Sequence, residues 1–270
     1  MVELQRNLPD FARHNIAVFG ISYDPVDVLA RFAGAHGVTF PLLSDEGSKV
    51  IRALGMLDEQ VYEHHAAFDV TDREDRFWGV PYPGVFLLDE QGNVMQKRFQ
   101  KNYRERETSQ TILEQGFGMD ASSHGPEVRG DAGGVAVRAF LDAEQYRIYQ
   151  RLRVNVEIVV PSGWHVYGLP IPEGYVPLSV SVAPIEGLEV GEPVLPTPHP
   201  FRVEGLEEQF FVYDGTVSVA VPAVFTQNVG DQTLRLEVRF QACSADQCQR
   251  PHRISVSLRL QAETHVDWHM

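Results

Sequence analysis

The feature that most constrains the fold is the regular alternation of apolar and polar residues that begins near Val135. Over residues 151–160 the apolar members are Leu152, Val154, Val156, Ile158 and Val160. The same alternation recurs over 178–182, 234–240 and 254–260. A period of two turns one face of a strand to a core and the other to water. Several such strands with Pro/Gly-rich connections predict a β-sandwich, with a hairpin turn at Asp214-Gly215.

Residues 1–115 mix helical and strand patterns instead, which predicts an α/β region. The apolar run over 16–22 predicts a buried strand. Asp24 is expected to cap the next helix, with Pro25 at its first position and Gly37 as its stop. Three further elements are predicted: a helix over 48–57, a strand, turn and strand over 84–94, and a helix over 104–117.

The composition changes between these regions, where glycine and serine crowd the segment that follows residue 115. We therefore predict four parts: an α/β domain over 1–117, a flexible linker over 118–132, the sandwich over 133–262 and a tail over 263–270. The polar, acidic stretch 58–79 is expected to be a long loop or insertion within the first domain.

Charge and hydropathy exclude several classes of function. The net charge is −14, with 12 Lys/Arg against 19 Asp/Glu in residues 1–120 and 11 against 18 in 121–270. Neither part offers a basic face for nucleic acid or an anionic membrane. No apolar run approaches the roughly 20 residues that span a bilayer, and residues 1–6 lack the features of a signal peptide. Phosphate-loop and dinucleotide motifs are absent, so no cofactor is predicted.

Cys243 and Cys248 are the only cysteines, and four residues separate them. A disulfide closing so short a loop stabilises the fold by only about 2 kcal/mol, and short bridges across a turn are readily reduced. The pair is therefore read first as a two-electron redox site and second as a structural bridge. A third alternative adds His252 to make three metal ligands, although the spacing fits no standard zinc pattern. Trp164, His165 and Tyr167 are assigned mainly to packing at a strand end, with lining of the thiol site as an alternative.

The first region resembles the alkyl hydroperoxide reductase/thiol-specific antioxidant (AhpC/TSA) branch of thioredoxin-like proteins. The resemblance rests on residues 15–24, 40–45 and 79–92. That family keeps its reactive cysteine at the start of a helix, whereas this chain begins inside what resembles that helix and has no cysteine before residue 243. The resemblance thus implies an incomplete thioredoxin-like domain that lacks its first strand and Cys turn, and a truncated or misassigned start. It also implies that Pro83 is the cis-proline facing the substrate, with an ordinary turn proline as the alternative.

The second region resembles the N-terminal, immunoglobulin-like domain of the DsbD family of thiol:disulfide interchange proteins. The resemblance rests on residues 161–167, 211–219 and 238–248. In that family two cysteines near a late hairpin pass electrons to periplasmic partners, and Cys243 and Cys248 match them by position. The resemblance implies exchange with thioredoxin-like or other thiol/disulfide proteins in the bacterial cell envelope.

The chain is therefore predicted to be an incomplete thioredoxin-like α/β domain followed by an immunoglobulin-like β-sandwich. Its predicted function is thiol–disulfide oxidoreduction through catalytic Cys243 and Cys248, with antioxidant activity in a longer parent. The alternative is a non-catalytic binding or scaffold protein with a structural disulfide. No metal site is assigned, and the sequence does not decide which cysteine attacks.

Overall fold

The computed structural model describes residues 1–61, 79–100, 102, 104–119, 125–202 and 209–263. The chain divides into two compact units, Met1–Ser122 and Ser123–Met270. This division falls inside the predicted linker. Most of the predicted insertion, part of the linker and nearly all of the predicted tail lie outside the described residues, as do His64, His65, His265 and His269.

The first unit combines short helices with two small sheets. Its elements are α1 (Val2–Arg6), α2 (Leu8–Arg13), β1 (Gly20–Ser22), α3 (Val26–His36), β2 (Leu42–Ser44), α4 (Lys49–Ala53), β3 (Gly84–Leu88), β4 (Val94–Phe99), β5 (Arg106–Glu107), α5 (Ser109–Thr111) and a π-helical turn, Ile112–Gly116. Strands β1 and β2 pair in parallel, and β3 and β4 pair antiparallel. The buried apolar cluster of this unit consists of Phe11, Leu87, Ile112 and Leu113.

Several local predictions for this unit need correction. The strand predicted over 16–22 is confined to β1, and the helix predicted over 104–117 is a short strand, a helical turn capped by Thr108 and a π-helical turn. Asp24 does not cap α3; its carboxylate accepts a hydrogen bond from Ser22 instead, and Pro25 is the N-cap residue. Gly37 does end α3, in the left-handed conformation that favours glycine.

The second unit is a β-sandwich, as predicted. Its strands are β6 (Glu127–Ala132), β7 (Val135–Leu141), β8 (Gln145–Tyr146), β9 (Gln150–Val159), β10 (His165–Tyr167), β11 (Ser179–Val182), β12 (Leu188–Val190), β13 (His199–Arg202), β14 (Gln209–Tyr213), β15 (Thr216–Phe225), β16 (Gln232–Phe240), β17 (Ala242–Cys243) and β18 (His252–Ala262). Within this unit the strands follow the orders β12-β15-β9-β7-β6, β11-β16-β18-β8 and β13-β14-β10-β17.

The alternating residues of the long strands form the core. On β9, β16 and β18 the predicted inward residues are all at most 6% exposed. They are Leu152, Val154, Val156, Ile158, Leu234, Leu236, Val238, Phe240, Ile254, Val256, Leu258 and Leu260. Because the pairing register of β16 and β18 sets Val238 opposite Ile254 and Leu236 opposite Val256, the apolar side chains of both strands share one face.

Two predictions for this unit, the extent of the linker and the hairpin at Asp214-Gly215, are wrong. Residues 127–132, assigned to the linker, form strand β6 and pair with β7. Asp214-Gly215 does turn the chain, with Gly215 at a positive φ of 61°, but it does not join a hairpin. Strand β14 pairs with β10 and β13, whereas β15 pairs with β9 and β12. The turn therefore carries the chain from one sheet to another.

Candidate functional site

Cys243 and Cys248 are joined by a disulfide, with their Cα atoms 4.0 Å apart. Cys243 is the last residue of β17. The intervening turn is closed by two backbone hydrogen bonds, from Ser244 N to Gln247 O at 2.8 Å and from Gln249 N to Ala242 O at 2.9 Å. The bridge therefore lies within one hydrogen-bonded turn between β16 and β18.

The two cysteines differ sharply in exposure. Cys243 is 0% exposed, whereas Cys248 is exposed along with the turn residues before it. A protein or reagent that attacks the bridge from solvent therefore meets Cys248 first.

The strand that holds Cys243 in place is β10. β17 pairs antiparallel with β10, and the register sets Cys243 opposite His165 and Ala242 opposite Val166. Directly opposed residues of an antiparallel pair project to the same face of the sheet, and successive residues project to opposite faces. His165, Tyr167 and Cys243 therefore share a face.

The register of the remaining strands extends this face across the sheet β13-β14-β10-β17. Tyr167 lies opposite Val212, and Phe210 lies opposite Phe201. Tyr167, Phe210, Val212 and Cys243 form one buried cluster, against which Ile171, Tyr175 and Phe201 pack. We call this set, together with His165 and Cys248, the sulfur face.

The opposite face of the same sheet belongs to the sandwich. Val166, Tyr213 and Ala242 alternate with the residues of the sulfur face, and all three are part of the main hydrophobic core. All three residues of β10 are buried because both of its faces are covered. The site is therefore built on strands whose other side is fixed by core packing.

Aromatic rings pack on the buried side of the bridge. The Tyr167 ring centroid lies 5.0 Å from that of Tyr175 and 5.5 Å from that of Phe210. The Tyr167 Oη atom lies 3.6 Å from Cys248 Sγ. Since a disulfide sulfur has no hydrogen to give, the tyrosine hydroxyl is the donor in this oxidised form. Burial, and secondarily Tyr175, raises the pKa of Tyr167 to about 12, so the hydroxyl keeps its proton at neutral pH.

His165 is the residue that lies opposite Cys243 in the register of β10 and β17, and its ring packs against Tyr167 and Phe201. It is 7% exposed, and its Nε2 atom is buried without a hydrogen-bond partner among the residues described here. Burial lowers its pKa; Asp214 acts in the opposite direction and His199 adds to the lowering. The imidazole is therefore neutral at pH 7 and keeps a nitrogen available.

The predicted site residues are only partly brought together. Cys243 and Cys248 are joined, but Pro83 lies in the other unit, half-buried before β3. The cis peptide bond recorded in the described chain is Leu169–Pro170, so the bond before Pro83 is trans and fits the turn-proline alternative. A substrate-facing role for Pro83 stays a prediction. Tyr167, assigned mainly to packing, approaches the bridge, His165 packs against Tyr167 and Phe201, and Trp164 packs against the main core.

The metal alternative is not supported by the geometry. Both cysteine sulfurs are used in the disulfide, and His252 Nε2 lies 2.8 Å from Gln249 Oε1. Among the described residues no cluster of three or more potential ligands is arranged to hold a metal ion. In the same part of the chain, no helix combines the length and apolar character needed to cross a bilayer.

Two family models match the chain, one in each unit. Residues 1–97 match the AhpC/TSA family, and residues 138–260 match "Thiol:disulfide interchange protein DsbD, N-terminal". Both resemblances expected from the sequence are confirmed. Together with the disulfide they support a thiol–disulfide redox function in general terms.

Individual relatives cover less of the chain. Proteins of two Mycobacterium tuberculosis strains, both named "Putative peroxiredoxin", are 33% identical over 97 residues, which is 34% of this chain and 52% of each relative. The chain thus spans about half the length of the curated relatives it matches.

Solved structures similar to the chain include the N-terminal periplasmic domain of ScsB from Proteus mirabilis (20% identity, 51% of this chain and 50% of that one, TM-score 0.35). Another is a complex between the DsbD N-terminal and PilB N-terminal domains from Neisseria meningitidis (19% identity, 42% and 81%, TM-score 0.30). The general redox assignment rests on the two family models, because the TM-scores of the solved structures are low.

Proposed function

We propose that Cys243 and Cys248 form a redox-active pair through which the protein exchanges two electrons with thiol/disulfide partner proteins. The observation that carries this proposal is the asymmetry of the pair: Cys248 is an exposed residue and Cys243 is fully buried. A mixed disulfide needs an approachable sulfur, and the second sulfur must stay within reach to resolve it.

The asymmetry assigns the roles of the two cysteines. In the reduced protein the Cys248 thiolate attacks a partner disulfide, forms a mixed disulfide and releases one partner thiolate. The Cys243 thiolate then attacks Cys248 Sγ, re-forms the intramolecular disulfide and releases the second partner thiolate. One disulfide is consumed and one is formed, so the partner gains the two electrons that the pair gives up.

Tyr167 is suited to assist the exposed sulfur. Its hydroxyl keeps its proton at neutral pH and points at Cys248. A hydrogen bond to the thiolate favours the charged form of Cys248 and so lowers its pKa, which increases the fraction of the nucleophile present.

The first unit enters the proposal only as a companion domain. It has no cysteine, so peroxidase chemistry in this unit would need a thiol that the chain does not contain. Antioxidant activity is therefore proposed for a longer parent alone. For the partners we propose thioredoxin-like proteins, and for the location the bacterial cell envelope; both are supported by the match to the DsbD family.

The midpoint potential of the Cys243–Cys248 couple tests the function. We expect a value between that of thioredoxin and that of the stronger oxidants, above about −270 mV. A value below about −300 mV, typical of structural disulfides, would favour the alternative of a scaffold with a permanent bridge.

Single substitutions test the assignment of the two roles. Cys243→Ser leaves the exposed thiol without its resolving partner, so it should attack the disulfide of an added oxidised thioredoxin-like protein and accumulate as the mixed disulfide. Cys248→Ser should form little, because its remaining thiol is buried. Mass spectrometry of the non-reduced mixture measures both, and equal trapping by the two variants would contradict the assignment.

A further inference from the structure

We propose that Gln241 is a positioning residue for disulfide exchange: its side-chain amide holds the chain next to Cys248, so that Cys243 can reach that sulfur when it resolves a mixed disulfide. The proposal deepens the exchange function and rests on it. Gln241 lies between β16 and β17, two residues before the buried cysteine, and its side chain is half-buried. Neither of its two hydrogen bonds involves a sulfur, so it acts only through the position of Cys248.

The first observation is a hydrogen bond to the residue that follows Cys248. Gln241 Nε2 donates to the carbonyl oxygen of Gln249 at 3.1 Å, and the N–H of Gln249 donates to the carbonyl oxygen of Ala242 at 2.9 Å. Both backbone groups of Gln249 are therefore tied to the chain just before the buried cysteine. The Gln249 side chain is held separately, since its Oε1 lies 2.8 Å from His252 Nε2.

A second hydrogen bond fixes the orientation of the amide. Gln241 Oε1 accepts from the backbone N–H of Val176 at 3.1 Å. Because an N–H group can only donate and a carbonyl oxygen can only accept, a Gln241 amide turned by 180° would lose both hydrogen bonds. The bond to Val176 therefore keeps the NH₂ group directed at Gln249.

The same bond connects the amide to the aromatic side of the site. Val176 follows Tyr175, whose ring centroid lies 5.0 Å from that of Tyr167, and the hydroxyl of Tyr167 lies 3.6 Å from Cys248 Sγ. These contacts form a closed circuit that leaves Gln241 on its nitrogen side, passes Cys248 and the two tyrosines, and returns on its oxygen side. Gln241 is the side chain that closes this circuit.

The hydrogen bond to Gln249 has its effect when the disulfide is open. In the oxidised protein the S–S bond keeps Cys248 beside Cys243, whereas in the mixed disulfide hydrogen bonds must do so. In the resolving step the Cys243 thiolate bonds to Cys248 Sγ, and the bond from Cys248 to the partner sulfur breaks and releases the partner thiolate. Because this step is intramolecular, it depends on the effective concentration of one sulfur at the other. Restricting Gln249 raises that concentration.

Equilibration of the reduced protein with glutathione disulfide measures this effective concentration. Attack by Cys248 forms a mixed disulfide and releases one glutathione thiolate, and closure by Cys243 releases the second. Acid quenching, alkylation and mass spectrometry give the populations of the mixed and the closed forms at each concentration of reduced glutathione. The ratio of closed to mixed form, multiplied by that concentration, is the closure constant. It has units of concentration and contains no contribution from the initial attack.

Two variants remove the hydrogen bond to Gln249, and a third variant is the matched control. Gln241→Ala removes the whole amide. Gln241→Glu keeps the size of the side chain and an acceptor for Val176, but its carboxylate cannot donate to Gln249. The control is Gln232→Ala, because Gln232 begins β16 at the opposite end from Gln241. Its Nε2 also donates to a backbone carbonyl, that of Val229, at 2.8 Å.

We expect both Gln241 variants to lower the closure constant by about fivefold, the factor that one hydrogen bond contributes. The rate of closure, followed with the same quench, should fall with it. The equilibrium constant for forming the mixed disulfide should change little, because that step needs only the exposed sulfur. Gln232→Ala should close as the wild type does, and circular dichroism checks that each variant is folded.

If Gln241→Glu is folded and has the wild-type closure constant, the hydrogen bond to Gln249 does not position Cys248 and the proposal is wrong. This variant alone decides if Gln241→Ala does not fold. An equal loss in Gln232→Ala would also overturn the proposal, because any comparable hydrogen bond of the sandwich would then have the same effect. Both results would leave the exchange function intact. A wild-type protein that never releases the second glutathione thiolate would instead overturn the exchange function, so the two failures are distinguishable.

Discussion

The two units differ in where their apolar strand residues lie. In the second unit the long strands each bury an unbroken series of alternating side chains. In the first unit Phe19, Leu43 and Leu88, on or next to short strands, are 62%, 49% and 50% exposed. Strands β1 and β3 belong to separate two-stranded sheets, and a two-stranded sheet covers little apolar surface. Apolar strand residues are therefore buried where several paired strands stack, and these three are left exposed on the short strands described in the first unit.

The largest expected effect comes from making the same substitution in both units. Leu234 is 0% exposed and Leu43 is 49% exposed. Leu234→Ala should lower the free energy of unfolding of the second unit by about 3 kcal/mol, because it removes packed atoms and leaves a cavity. Leu43→Ala should change the first unit by less than about 0.5 kcal/mol.

Hydrogen–deuterium exchange of peptides from each unit, measured over a denaturant series, reads the two free energies separately. Equal losses from the two substitutions would contradict this difference between the units, because they would show that Leu43 is as well packed as Leu234.

A smaller effect is expected from opening the disulfide. Reduction of the Cys243–Cys248 bridge should lower the free energy of unfolding of the second unit by about 2 kcal/mol, since so short a loop restricts the unfolded chain only modestly. The sandwich core lies on other strands, so the reduced unit should remain folded. Urea denaturation with and without reductant measures the difference, with the Cys243→Ala/Cys248→Ala variant as the control that should not respond. Complete unfolding on reduction would favour a structural staple.

The smallest expected effect is a difference between the two units in the pH at which their free energy of unfolding begins to fall. Burial lowers the pKa of His165 in the folded protein. As the pH falls, His165 is therefore protonated in the unfolded chain before it is protonated in the folded second unit. The free energy of unfolding of that unit should therefore fall as the pH drops below about 6.5, the ordinary pKa of histidine. Denaturation of His165→Phe should lack this decline, and a decline that persists in the variant would assign it to another group.

The first unit should respond at lower pH. Burial acts to raise the pKa of Asp45, but hydrogen bonds from backbone N–H groups, including those of Ile51 and Val50, outweigh it and lower the pKa. The stabilisation that this carboxylate provides is present above its ordinary pKa and is lost as the pH falls below about 4.

Prediction from sequence succeeded where local pattern and long-range packing agree. The residues predicted to face inward on β9, β16 and β18 are buried because a period of two fixes which face meets the core. Asp214-Gly215 shows the limit of the same reasoning. Turn chemistry fixes the local bend, but the pairing partners of β14 and β15 are set by distant strands, and no local signal carries that information.

The candidate site also combines features that local sequence predicts with features that depend on distant strands. The spacing of Cys243 and Cys248 predicted a bridge, which the structure contains, but the spacing carries no information on how far each cysteine is exposed. Their difference in exposure depends on β10, which pairs with β17 from about 80 residues earlier in the chain. His165 and Tyr167 lie on a strand that is buried on both faces, so no alternation marks them. The nearest signal was the cluster of aromatic and histidine residues over 164–167.

Strand β10 links the Cys243–Cys248 disulfide to the interior of the sandwich through a single length of backbone. Val166 is packed in the core, while the residues on either side of it belong to the sulfur face. Any motion that separated Cys243 from β10 would also disturb that packing, so the buried cysteine is held in place by the core of the sandwich. In the exchange proposed above, an incoming partner would therefore meet a bridge whose buried half is already fixed by the sandwich.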